Sequence, residues 1–215
     1  MEIPEQKENA IGITKLHLYS GGAFGADTFF GLIALEYGIT NNKQRHYRID
    51  SEISKDLQAA GIETIYLDKY DINECYDAID ELFNKRHQRN KNNDLKARNY
   101  FQALDADGIF AIAELNEAKN GVLSGTNVAI QFGKQMKKPI YVYDYTVRIW
   151  YEYLYSCRKF MPYNKIPLLT EHFAGIGVRK CQKYDGCINY LGINVEKDIK
   201  QQIKNLFENY IKENL

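Results

Sequence analysis

The sequence predicts an α/β fold, a mostly parallel sheet wound with helices on both faces. Three observations predict it. Strand-like apolar runs alternate with segments of helical periodicity along the chain. Two of those runs, ADGIFAIA over 106–113 and PIYVY over 139–143, read as buried strands. A glycine-rich turn, Ser20-Gly21-Gly22-Ala23-Phe24-Gly25-Ala26-Asp27, joins the first strand-like run to the first helical one.

Residues 14–20 read as a strand that ends at that turn. Residues 25–37 read as a helix with Phe29, Phe30, Leu32, Ile33 and Leu35 on its apolar face, stopped by Gly38. A short strand at 46–49 precedes a helix over 52–60, capped by Asp50 or Ser51 and ended by Gly61. Residues 62–67 alternate as a strand does, and 73–85 are helical. The basic stretch 85–93 reads either as a solvated loop or helix end, or as an electropositive rim for phosphates.

A helix over 95–104 carries Arg98 into the strand 106–113. A second glycine-containing turn, 121–126, leads to a helix over 128–136 and the strand 139–143, with Asp144 at its carboxyl end. Residues 145–170 read as aromatic and irregular, with a short extended segment at 166–169. A third glycine-bearing element, 172–179, contains the expected turn Gly175-Ile176-Gly177. The last helix, 195–212, packs Ile199, Ile203, Leu206, Phe207 and Ile211 on one face. Residues 1–13 form a polar N-terminal segment. With no repeat or domain boundary in sight, 1–215 reads as a single domain.

Composition excludes several classes. The chain has 215 residues, enough for one sizeable core, with 28 basic and 28 acidic side chains. Zero net charge argues against a partner in bulk nucleic acid. No apolar run reaches membrane-spanning length, and MEIPEQKENA lacks a signal-peptide core, so a cytoplasmic protein is expected. The cysteines, Cys75, Cys157, Cys181 and Cys187, form no CxxC pair and read as reduced thiols. His17, His46, His87 and His172 are scattered, with no metal-ligand spacing and no Ser-His-Asp order. We therefore expect no catalytic residue, no metal and no required cofactor.

A strand that runs through glycines into a helix makes an anion site, because the turn exposes N–H groups and the helix end is partly positive. Both glycine turns and Asp144 fall at carboxyl ends of predicted strands, where α/β sheets bind ligands. They are expected to share one crevice. Backbone N–H groups near Gly21, Gly22, Ala23 and Gly25, with the Ser20 hydroxyl, would hold one phosphate. Gly125 and Thr126 would hold another phosphate or a ribose. Asp27 either supports its helix N-terminus or bonds a ribose hydroxyl or base amine. Arg98 and Arg179 offer donor forks for phosphate, with a surface ion pair as the alternative for Arg98. Asn127 reads as a base or ribose contact or as a helix-start residue, and Asp144 as a ribose contact or a turn cap. Trp150 and Tyr143 read as flanking a base or packing in the core.

Four segments, SGGAFGAD, RNYFQALDADGIFAIAE, SGTNVAIQFGKQMKKPIYVYD and HFAGIGVR, occur in an order that resembles the SLOG superfamily. That group is related to DprA and to LOG-type lysine decarboxylase-like proteins. The nearest likeness is to small single-domain members of bacteria and phages, over residues 14–212. The resemblance implies a Rossmann-like sheet, a nucleotide or NAD-derived ligand and a homo-oligomer. It implies three functions: binding as a signal sensor or a phage-encoded sponge for an immune signal, hydrolysis of a nucleotide N-glycosidic bond, or single-stranded DNA binding as in DprA. LOG-type hydrolases carry GGxGTxxE. Here Ser124 precedes Gly125, and the Glu position is Ala129, whose methyl group moves no proton. That departure favours a binder over a hydrolase. Neutral charge disfavours the DNA binder, with 85–96 its only support.

Overall fold

The computed structural model describes residues 13, 15–49, 53–179 and 192–214. In chain order the elements are β1 (His17–Ser20), α1 (Ala26–Glu36), β2 (Gln44–Arg48), α2 (Lys55–Ala59), β3 (Thr64–Tyr66), α3 (Lys69–Phe83), α4 (Lys91–Ala97) and α5 (Asn99–Asp105). There follow β4 (Gly108–Ile112), α6 (Thr126–Gln135), β5 (Ile140–Asp144), β6 (Ile149–Leu154), β7 (Lys159–Pro162), β8 (His172–Gly177) and α7 (Ile193–Asn214). The strands form one sheet of order β3-β2-β1-β8-β4-β5-β6-β7. The pairings from β3 through to β5 are parallel, and β6 and β7 are antiparallel.

Strand β4 is covered on both sides, so its sequence is apolar without interruption. All five residues of β4 are buried. Ile109 and Ala111 point to the layer holding α3, α5 and α6, while Phe110 and Ile112 point to that of α1 and α7. Phe110 meets Phe173 edge-on and stacks on Tyr141, so its truncation to Ala is expected to cost about 3–5 kcal/mol. On α7 the buried stripe is Ile199, Ile203, Leu206, Phe207 and Tyr210, the helical spacing of one packed face.

Topology places the site. From β1 the chain steps outward to β2 and β3, then returns to begin β4 and β5 on the other side. The winding direction reverses between β1 and β4, which is where open α/β sheets bind ligands. Here β8 fills that gap, pairing with both, as in Leu18↔Phe173 and Phe110↔Gly175. Three carboxyl ends therefore lie side by side.

Several expectations are corrected. The stretch 145–170 is not irregular, because β6 and β7 form a hairpin continuing the sheet from β5. Its two turns close on Arg148 and Arg158, at φ 58° and 57°. Glycine or asparagine is the usual sign of such a turn, and neither is present. The expected turn at Gly175-Ile176-Gly177 is instead the end of a central strand. A side chain at Gly177 would strike the Ile112 carbonyl, and one at Gly175 would lie 2.6 Å from the Phe30 ring. Those glycines serve close packing. The helix expected over 95–104 is two, α4 and α5, meeting at Arg98. Helix α2 is capped by Ser54, whose Oγ accepts from the Leu57 N–H, while the proposed caps Asp50 and Ser51, with Cys181 and Cys187, lie outside the described residues. Of the other thiols, Cys75 is buried and Cys157 exposed.

Candidate functional site

A cavity of about 220 Å³ opens at the carboxyl ends of β1, β8 and β4. Its walls come from the first glycine turn (Ala23, Asp27), the end of β8 (Ile176, Gly177, Arg179), the α6 start (Ser124, Gly125, Thr126) and the α4–α5 junction (Leu95, Arg98, Asn99, Gln102). Enclosed ligand pockets usually measure about 300–1,000 Å³. This one is smaller, about 220 Å³.

The first glycine turn is shaped by its glycines and filled by its own carboxylate. Gly22 has φ 60° and Gly25 φ 114°, conformations that side chains disfavour. Gly25 caps α1 without any side-chain bond. Asp27, one residue into the helix, turns its carboxylate back over the turn. Its Oδ2 accepts from the Ala23 N–H at 3.4 Å and its Oδ1 from the Gly177 N–H at 3.1 Å. It thereby ties β8 to the turn and supplies the negative charge a helix N-terminus favours. Burial pushes the Asp27 carboxyl above its ordinary range, opposed by Arg98, by those two N–H groups and by Arg48.

Arginines hold the turn from beneath. Arg98 Nη1 donates to the Gly21 carbonyl at 2.5 Å and to that of Tyr47 at 3.1 Å. Arg48 Nη1 donates to the same Gly21 carbonyl at 2.9 Å. The expectation of a surface ion pair for Arg98 is corrected, because its side chain is only 4% exposed and faces the buried Asp27. Burial and the Arg48 charge lower the Arg98 guanidinium to about 9, which leaves it protonated at neutral pH. Gly21 is glycine because a Cβ there would sit 2.6 Å from the Arg98 Cζ and 2.7 Å from the Gln102 Nε2. Below the turn, His46 is fully buried and bonds Gln44 Oε1 through Nε2 at 3.0 Å. Burial, with Arg98 and Arg48, depresses it to about 3, so the ring is neutral.

The α6 end is different, because it is unfilled. The N–H groups of Gly125 and Thr126 find no acceptor among the described residues. Ser124 before them adopts φ 84°, a conformation glycine takes without strain. Asn99 Nδ2 donates to the Gly125 carbonyl at 3.3 Å and ties α5 to this turn. Arg179 is exposed on the opposite rim, where Gly25 bridges to it.

Of the residues singled out in the sequence, Ala23, Asp27, Arg98, Gly125, Thr126 and Arg179 meet at the cavity. Gly21, Gly22 and Gly25 shape the turn that carries Ala23 and Asp27 there but do not themselves line the cavity. The Ser20 hydroxyl is buried without a partner and is not on the cavity wall. Asn127 and Asp144 are not brought there either. Asn127 Oδ1 accepts from the Val122 N–H and from Gln131, bracing the loop before α6. Asp144 accepts from the Leu115 N–H and from both Thr146 N–H and hydroxyl, the turn-capping alternative. Tyr143 and Trp150 pack in the core and bond Asp198 and Gln202 of α7, so neither flanks a base here. Ala129 is fully buried in the other core layer, off the cavity wall. The sequence reading missed Leu95 and Gln102. Gln102 lies four residues after Arg98, one helical turn along, and that spacing was its signal.

No helix among the described residues is long and apolar enough to cross a membrane. No protein-family model matches the chain, and no curated protein matches it. Among solved structures, the chain is similar to a proposed molybdenum carrier protein from Syntrophus aciditrophicus SB, at a TM-score of 0.40 and 16% identity over 90% of this chain and 93% of that one.

Proposed function

We propose that this protein binds a nucleotide or an NAD-derived small molecule in the cavity between β1, β8 and β4, with a phosphate at the start of α6. The unfilled N–H pair of Gly125 and Thr126, facing a cavity that Arg179 rims, carries the reading. The first turn is a poor phosphate site, because the Asp27 carboxylate already takes the Ala23 and Gly177 N–H groups. A second anion there would compete with that carboxyl group for the same two donors. Asp27 suits a sugar hydroxyl or base amine instead. The resemblance of the four sequence segments to SLOG proteins supports the same ligand class. A binder of this kind serves as a signal sensor, or as a sponge if a phage encodes it.

A thermal-shift screen with ADP-ribose, cyclic ADP-ribose isomers, cyclic nucleotides, nucleoside monophosphates and NAD tests the reading. A saturable shift with at least one of them is expected, and no shift with any of them overturns it.

The hydrolase reading rests on one observation, a buried carboxyl with a raised pKa on a cavity wall, at Asp27. Mass spectrometry after incubation with the same compounds separates the two. Intact ligand recovered after long incubation supports the binder, and a released base or nicotinamide supports the hydrolase.

A further inference from the structure

Gln102 is the least explained side chain at the cavity. It is 1% exposed, and neither Nε2 nor Oε1 has a hydrogen-bond partner in the protein. It lines the cavity beside Arg98, Asp27 and Leu95. Arg98 Nε, one helical turn away, is also buried and unpartnered. A buried amide that makes no hydrogen bond is costly, and a Met or Leu would fill that space on α5 without the cost. Two unsatisfied atoms of one amide, one a donor and one an acceptor, mark a place where another molecule supplies the missing partners.

The chemistry of that molecule follows from the amide. A phosphate offers only acceptors, so it would satisfy Nε2 and be repelled by Oε1. A hydroxyl reaches one atom at a time. A planar edge that carries a donor next to an acceptor satisfies both at once, as carboxamide side chains do against nucleobases. Leu95 adds an apolar wall for the flat face of such a group. The anion-binding end, at Gly125, Thr126 and Arg179, is on other elements of the same cavity.

We propose that Gln102 reads the donor–acceptor edge of a nucleobase or a carboxamide-bearing ring, and so gives the site its preference for base-bearing ligands over sugar phosphates. The inference rests on the nucleotide reading above and deepens it. Gln102 is a specificity-determining residue in this account. It forms the inner end of the site, with the phosphate at the outer end.

The test is calorimetric binding of AMP, GMP, CMP, UMP, nicotinamide mononucleotide and ribose 5-phosphate to the wild type, Gln102→Met and Gln102→Asn. The wild type is expected to bind at least one base-bearing ligand about tenfold or more tighter than ribose 5-phosphate. A preference among the four nucleotides assigns a nucleobase edge, and a preference for nicotinamide mononucleotide assigns a carboxamide. In Gln102→Met that ratio collapses toward one, while ribose 5-phosphate keeps its affinity within about threefold and the melting temperature does not fall. Gln102→Asn, which keeps the amide but withdraws it, loses most of the ratio and serves if the Met variant does not fold. An unchanged ratio in the variants overturns the proposal, and means that water occupies the amide. Equal wild-type binding of ribose 5-phosphate and every base-bearing ligand also overturns it, while leaving a phosphate site standing. Binding of none of these compounds removes both the proposal and the nucleotide reading for this ligand class.

Discussion

The Asp27 carboxylate stands 4.0 Å from the Arg98 guanidinium, with both side chains less than a tenth exposed. Each also holds backbone from a different strand end, Asp27 through the Gly177 N–H and Arg98 through the carbonyls of Gly21 and Tyr47. Removing one member of such a pair leaves the other charged and uncompensated, at about 3–5 kcal/mol. Arg98→Met is therefore expected to destabilise strongly in urea unfolding, and Asp27→Asn less, because burial already opposes the Asp27 charge. The double variant should lie closer to the wild type than the sum of the two, with a coupling above about 1 kcal/mol. Simple additivity would show that the pair does not act as a unit.

His46 makes stability pH-dependent with a defined sign. Its folded pKa is about 3 against about 6.5 for an ordinary histidine, so the unfolded chain binds the proton more readily. The stabilisation is present above pH 6.5 and is lost as pH falls toward 3. At pH 5 the loss is about 2 kcal/mol, from one and a half pH units at about 1.36 kcal/mol each. Asp27 works in the opposite direction. Its folded pKa is raised above 3.8, so its contribution is present below that pH and fades as pH rises through the folded value. The difference between wild type and His46→Gln isolates the histidine. Urea midpoints measured from pH 7.5 to 5 should fall more steeply in the wild type. Parallel curves would mean that the ring is not held neutral.

Arg179 is exposed on the cavity rim, so in the proposed function it acts on the ligand rather than on the fold. Arg179→Ala should leave the urea midpoint nearly unchanged. It should weaken a phosphate-bearing ligand about three- to tenfold, less in high salt because an exposed charge is screened. An unaltered dissociation constant at low salt would place the phosphate elsewhere.

The fold was legible in the sequence where burial wrote it. ADGIFAIA and PIYVY announced β4 and β5 because strands covered on both faces leave no room for polar residues. The β6–β7 hairpin was hidden because Arg148 and Arg158 occupy left-handed positions that usually carry glycine. In β8 the confusion ran the other way, since Gly175 and Gly177 look like a turn but allow Phe30 and Ile112 to approach. At the site, the two glycine turns were visible as turns. What the sequence could not show is that Asp27 folds back onto its own loop and that Arg98 points inward. Both depend on contacts with residues far along the chain, Gly177 and Tyr47.

Ser124 holds the last testable piece of strain. It adopts φ 84° immediately before the α6 start, where its only hydroxyl contact among the described residues is a 3.4 Å approach to Thr126 Oγ1. A left-handed conformation costs a side chain about 1–2 kcal/mol, and glycine avoids that cost while losing some unfolded-state entropy advantage. Ser124→Gly should therefore stabilise the protein by about 0.5–1 kcal/mol, or about 1–4 °C in melting temperature for a chain of this size. Ser124 lines the cavity beside the free N–H groups of Gly125 and Thr126. The same substitution should therefore weaken a phosphate-bearing ligand even as it stabilises the free protein. That opposition is what a strained residue retained for binding predicts. A variant that is less stable and binds equally well would show that the serine serves the fold alone.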